Sequence, residues 1–462
     1  MHDPRDSERE RRPGRLTPWL ERAPAPAFVA WAVSASFGAY FCMYAFRKPF
    51  AAAQFAGETF LGGTLELKSA IIISQVAGYA LSKYLGIRVV SELAPRRHAF
   101  ALIALIVWAE AALVLFAGLP RDAKVIGLFL NGLSLGMVWG LIVRYLEGRV
   151  TSELLLAGLS ASFIVSSAAV KDFGRALMSG GIAELWSSLP LVGAPVASAL
   201  GRVSESWMPA ITGLHFLPPF LLFVWMLAQL PAQSRRDAEE RRLRESMYAP
   251  RRREFWLAYW PGLVLVISAY LLLTAYRDFR DNFAVELFEA LGYPYAGNEI
   301  IITRAETLIA LGVIVALAGL NLVRERRRGL IATYAVMSGG TLLLAVATAA
   351  RGLGWIDGFA WMTLVGLGSY LAYVPYGSML FDRLMANSGI GGTAVFAIYV
   401  ADAVGYTGSV GMMLYKDFAA PELSRLAFFE AFTWVMAAVG TLCLLASCAA
   451  FLRPRALASE PR

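Results

Sequence analysis

Residues 46–51 read Phe46-Arg47-Lys48-Pro49-Phe50-Ala51, and residues 279–284 read Phe279-Arg280-Asp281-Asn282-Phe283-Ala284. The offset of 233 is close to half of the 462-residue chain. Phe55 and Phe288 continue this match. Two further matches follow in the same order. Ile71-Ile72-Ile73-Ser74-Gln75 lines up with Ile300-Ile301-Ile302-Thr303-Arg304 at an offset of 229, and Val170 and Asp172 line up with Val400 and Asp402 at 230. Ordered matches at a near-constant offset are hard to obtain by chance in apolar sequence. The chain therefore reads as two related halves, a weak internal symmetry of the kind that structural repeats leave.

The surroundings of these stretches set the class. The chain is 58% apolar and 16% charged, against roughly 45–50% and 25% for soluble domains. The apolar excess falls into runs of about 20 residues, each long enough to cross a hydrocarbon core as a helix. Clear runs lie at 26–51, 98–118, 124–146, 153–178, 210–230, 329–350 and 426–452. Runs interrupted by charges lie near 68–90, 256–288, 298–323, 359–384 and 391–416. Period-2 alternation is absent, which leaves helices as the spanning structure. The expected fold class is an all-α membrane protein of about twelve transmembrane helices in two six-helix pseudo-repeats. Parallel six-span repeats are the plan of the major facilitator fold, with a solute site near mid-membrane between the halves.

Charge sets the expected orientation. With the N-terminus inside and alternating spans, 27 of the 42 Lys and Arg fall inside and 7 outside. By the positive-inside rule both termini are cytoplasmic, in an inner (plasma) membrane. The basic balance is thus topological, and nucleic acid is excluded as a partner. The expected division is a cytoplasmic tail over 1–25, a six-helix half over 26–232, a charged cytoplasmic linker over 233–254, a second six-helix half over 255–452, and a tail over 453–462. The Gly-, Ser- and Pro-rich segment 179–209 is expected outside. The Arg-rich N-terminal segment precedes an apolar run too long for a signal peptide and reads as a tail. Cys42, Cys443 and Cys448 sit in apolar runs and imply neither disulfide nor metal framework. The three histidines are scattered, and no metal, cofactor or catalytic constellation is expected.

Eight cations lie within the expected spans, among them Arg47, Lys83, Lys171, Arg277 and Arg280. Each costs roughly 2.5–3.5 kcal/mol at a helix centre unless it faces a wet cavity. Acids nearby, including Asp172, Asp278, Asp281 and Asp402, are fewer, so the interior suits an anionic solute. Tyr40, Tyr44 and Arg47 share one stripe of the first helix, as do Tyr270, Thr274, Arg277 and Asp281 on the seventh. A guanidinium can grip phosphate or carboxylate by two parallel hydrogen bonds. Each residue also has a plainer reading. Arg47 can snorkel to the outer interface, and Arg277 and Arg280 can pair with Asp278 and Asp281. Lys171-Asp172-Arg175 can be a self-neutralising cluster, and Asp402 either couples transport to an ion or packs helices. Tyr370, Tyr373 and Tyr376 line a cavity or fill a core, and Gly391-Gly392 reads as a helix contact or hinge.

These residues resemble the organophosphate:phosphate antiporter branch of the major facilitator superfamily. Tyr40 to Phe50 (YFCMYAFRKPF) resembles its aromatic-rich first helix ending in Arg-Lys-Asn-Phe. Leu81-Ser82-Lys83-Tyr84 resembles its second-helix Ser-Lys-Phe, and Asn131-Gly132, Gly136-Met137, Trp139 and Arg144 resemble its fourth-helix pattern. The resemblance implies that Arg47 binds the anion with Lys83 close by. It favours Arg277 as the second arginine, whereas the internal repeat favours Arg280. Ile164 stands at or near the place of that family's fifth-helix histidine, so the resemblance implies a divergent branch. The expected function is secondary active transport, by exchange (antiport) or co-transport, of a small phosphorylated or carboxylated anion by a monomer. A transporter-like sensor for such an anion, binding without flux, is the alternative, and an enzyme is not expected.

Overall fold

The computed structural model describes residues 15–147, 149, 151–188, 201–232, 249–323, 325–381, 383–384 and 395–453. Most of the expected linker, the middle of the 179–209 segment and Gly391-Gly392 lie outside these residues. The described chain is helical apart from loops and an isolated bridge between Thr59 and Glu66.

A short helix α1 (Thr17–Arg22) precedes α2 (Ala25–Arg47), α3 (Leu67–Glu92), α4 (His98–Gly118), α5 (Lys124–Leu135) and α6 (Val138–Leu146). Then come α7 (Ser152–Ser179), α8 (Gly181–Ser187) and α9 (Met208–Ala228). After the charged segment follow α10 (Ala249–Asn282), α11 (Ala284–Ala290), α12 (Ile301–Asn321), α13 (Arg326–Gly352) and α14 (Gly358–Pro375). The series closes with α15 (Val395–Ala419), α16 (Arg425–Val435) and α17 (Thr441–Leu452).

Among the described residues, 9 helices are long and apolar enough to cross a membrane. The expectation was about twelve. The expected spans near 68–90, 359–384 and 391–416 correspond to α3, α14 and α15, which are not among those nine. Lys68, Lys83, Arg88 and Glu92 interrupt α3, and Asp402, Lys416 and Asp417 interrupt α15. Glycines and tyrosines dilute α14.

The chain forms two compact units, one of residues 1–242, 279–310 and 410–428, the other of 243–278, 311–409 and 429–462. The helices α10, α12, α15 and α16 each pass from one unit into the other. In the first unit α3 packs backbone to backbone on α5. A Cβ at Gly132 would lie 2.1 Å from the Gln75 carbonyl oxygen, so only glycine permits that approach. Phe46, Phe116 and Phe220 fill the space between α2, α4 and α9 and are fully buried. In the second unit α13 and α14 meet at Gly340 and Gly368, where a Cβ on either would lie 2.5 Å from the other's carbonyl oxygen. Polar pairs also join helices there. The Tyr334 hydroxyl lies 2.8 Å from Ser447 Oγ, and the Trp361 indole donates to Thr348 Oγ1 at 3.0 Å. Such pairs supply the attraction that apolar side chains alone cannot provide among lipid tails.

Candidate anion site

The end of α2 is set by its sequence. Pro49 disfavours helical geometry at the residue before it, and α2 stops at Arg47, with Lys48 donating its N–H to the Tyr44 carbonyl at 2.9 Å. The last carbonyls of α2 are then held by side chains from two neighbours. Gln75 Nε2 donates to the Arg47 carbonyl at 2.7 Å and to Asn131 Oδ1 at 2.8 Å. Asn131 Nδ2 donates to the carbonyls of Phe46 at 2.9 Å and Ala109 at 3.2 Å. Four helices thus converge on the turn that carries Arg47.

The Arg47 guanidinium lies over the Tyr79 ring, 4.0 Å from its centroid, and 5.6 Å from that of Tyr44. The Lys83 ammonium lies 5.5 Å from the same Tyr79 centroid. The two charge centres are therefore at most 9.5 Å apart, the sum of those two distances. At an effective dielectric of about 20 their repulsion is about 2 kcal/mol or more. Tyr40 meets Tyr44 edge-on at 5.5 Å and Trp139 at 4.8 Å, extending the aromatic wall. Tyr40, Tyr44, Arg47 and Lys83 are thus brought together in the first unit. Tyr79 and Trp139 complete the group. Tyr79 was not singled out by the sequence reading, although Gln75, Tyr79 and Lys83 at steps of four form a stripe on α3.

The second unit holds a smaller group. Tyr270 on α10 donates its hydroxyl to Asp402 Oδ1 at 2.6 Å, and its oxygen lies 3.2 Å from the Tyr373 hydroxyl of α14. The two rings stack at 5.4 Å, and Tyr376 meets Tyr270 edge-on at 4.7 Å. The Arg277 guanidinium lies 4.2 Å from the Tyr373 centroid and donates to Asp278 Oδ1 at 2.8 Å. Asp278 also accepts from Ser409 Oγ at 2.8 Å.

Several of the other in-span charges form buried ion pairs of the first unit, while Arg304 on α12 is exposed. Arg280 pairs with Glu306, the two side chains being 3% and 9% exposed. Among the described residues Asp281 pairs with lysines rather than an arginine. It takes Lys48 at 2.7 Å and Lys171 at 2.8 Å and accepts from Ser167 Oγ at 2.6 Å. Lys48 and Asp281 stand at matching places in the offset sequence match and carry opposite charges. Asp172 accepts from the N–H and hydroxyl of Thr303 at 2.8 and 2.7 Å, with Arg175 3.7 Å away. The cluster Lys171-Asp172-Arg175 is thus not self-contained, because Lys171 bonds Asp281 and Asp172 bonds Thr303. Lys68, expected in an outer loop, opens α3 and pairs with Glu286, which Arg425 also approaches at 3.3 Å. Among the described residues no group of three or more His, Cys, Asp or Glu is placed to hold a metal.

The sequence matches, over residues 49–200 and 188–454, the family described as a family of unknown function (DUF5690). No curated protein matches it. Among solved structures it is similar to a D-xylose-proton symporter, with a TM-score of 0.57 and 14% identity over 91% of this chain and 96% of that one. The nucleoside transporter NupG gives 0.57 and 12% over 92% and 99%. The inward-open xylose transporter XylE from E. coli gives 0.54 and 12% over 91% and 94%. At these identities the likeness concerns the fold alone. The organophosphate branch is not distinguished by it.

Proposed function

This chain belongs to the DUF5690 family, and we propose that it is a secondary transporter of a small anionic solute bearing a phosphate or carboxylate. The observation that carries the reading is the convergence of Arg47 and Lys83 on the Tyr79 ring. An anion placed between two cations held this close is attracted by both. Aromatic faces and hydroxyls around the pair supply further contacts. Phosphate esters, as in the organophosphate antiporters that the α2, α3 and α5 motifs resemble, fit this chemistry, as do dicarboxylates. Arg277 is the better second arginine, because its guanidinium lies over the Tyr373 ring within the tyrosine group, although it pairs with Asp278 as Arg280 pairs with Glu306. Asp402 orients the Tyr270 hydroxyl in this reading.

The remaining expectations extend this proposal. With α3, α14 and α15 also crossing the membrane, the span count reaches twelve in two six-helix halves, and the working unit is a monomer. The 27-to-7 charge division places both termini and the 233–254 linker in the cytoplasm. Reporter fusions after residues 20, 245 and 455 should read cytoplasmic and one near 195 external; an external signal at 245 would break the two-halves plan. For the solute itself, purified protein should gain thermal stability with phosphate, sugar phosphates or dicarboxylates, since a ligand that binds the folded state stabilises it. Stabilisation by neutral sugars or nucleosides with none by anions would replace the proposed solute class.

A further inference from the structure

One acid of the first unit takes no part in the ion pairs or in the candidate site. Glu110 lies on α4, within a run apolar enough to cross a membrane. It is 8% exposed, and neither carboxyl oxygen has a hydrogen-bond partner among the described residues. Its Oε2 lies against α9, where a Cβ at Gly213 would come within 2.1 Å of it, and the Phe46 ring edge borders the same point at 3.0 Å. Glycine at 213 leaves the room that the carboxyl occupies.

The charged groups on the helices packed around it have partners elsewhere. At the end of α2 they are Arg47 over Tyr79 and Lys48 with Asp281, and α2 also carries Tyr40 and Tyr44, edge-on to each other, and the buried thiol of Cys42. On α5 there is Lys124, whose Nζ donates to the Phe116 carbonyl at 2.9 Å. On α6 there are Arg144, paired with Glu147, and Tyr145, whose ring meets His98 of α4 itself. On α9 there is His215, whose Nδ1 lies 2.8 Å from the Ile211 carbonyl oxygen. Arg96 and Arg97, before α4, are exposed.

An ionised carboxylate buried among apolar groups, with neither cation nor donor, is so costly that such a group takes up a proton instead. We propose that Glu110 is a buried proton-binding site, lodged against the turn of α2 that carries Arg47. The link to that turn is direct: Phe46 touches the space around the carboxyl, and Asn131 Nδ2 binds both the Phe46 carbonyl and that of Ala109, the residue before Glu110. Losing the proton requires water or a cation to enter beside the Arg47 turn, so protonation and the posture of that turn are coupled. The inference stands whichever solute the chain carries.

Infrared absorption of the full chain in phosphatidylethanolamine–phosphatidylglycerol liposomes at neutral pH tests it. The wild type should show a protonated-carboxyl C=O band that is lost in Glu110→Gln and kept, shifted, in Glu110→Asp. Identical wild-type and Glu110→Gln spectra would overturn the proposal. Glutamine copies a neutral carboxyl in shape, so Glu110→Gln should also fold and melt as the wild type does. A Glu110→Gln protein that fails to fold contradicts a neutral resident at this place.

Discussion

Arg47→Ala abolishes binding of the anion that stabilises the wild-type protein, and Arg47→Lys weakens it by about tenfold or more. The alanine variant leaves Lys83 alone at the Tyr79 ring, so the anion loses one of its two cations. The lysine variant keeps the charge but loses the planar fork that can give two parallel hydrogen bonds. Charge-assisted hydrogen bonds are worth about 1.5–3 kcal/mol, and about 1.4 kcal/mol is a factor of ten in affinity. Titration by calorimetry or thermal shift reads both. The fold should survive either change, since the α2 terminus is held through the backbone carbonyls of Phe46 and Arg47 rather than through the guanidinium. An unchanged affinity in both variants would leave Arg47 as a residue reaching for the outer interface.

The two arginines of α10 should separate cleanly. Arg277→Lys keeps a cation for Asp278 but loses the guanidinium plane that lies over Tyr373, so anion affinity falls by about tenfold with little loss of stability. Arg280→Lys keeps a cation for Glu306 and leaves affinity unchanged. Arg280→Ala strands a buried carboxylate, a loss of about 3–5 kcal/mol for a broken buried pair, and the melting temperature drops. Arg280→Met combined with Glu306→Gln should recover most of that stability, because removing both charges of a buried pair is often close to neutral. A tenfold affinity loss in Arg280→Lys, with Arg277→Lys unaffected, would reverse the assignment.

How much of this was legible beforehand differs from residue to residue. Arg47 stood out because a charge in an apolar span carries its own cost, and the repeat at Arg280 doubled the signal. Tyr79 was silent for the opposite reason: a tyrosine inside an apolar helix costs little and is read as core until Arg47 is seen lying over its ring. Sequence could not divide roles between Arg277 and Arg280, since both lie on nearby faces of one helix and both have aspartates beside them. What separates them is Glu306 on α12, 26 residues further along the chain. The partners of Asp281 were missed likewise. Its nearest cation in sequence is Arg280, yet it bonds Lys48 and Lys171, more than 100 residues away. The helices themselves were read at nearly their observed places. The charge-interrupted runs were read as spans despite Lys83 and Asp402, and they are observed as the helices α3 and α15.

The central claim is that this chain moves an anion by way of Arg47. The direct measurement is uptake of the radiolabelled anion identified by thermal shift into liposomes containing the purified protein and preloaded with the same anion unlabelled. Flux in the wild type, lost in Arg47→Ala, is the predicted result. Binding without flux in the wild type would make the protein a sensor built on a transporter fold, and flux unaltered by Arg47→Ala would remove Arg47 from the path.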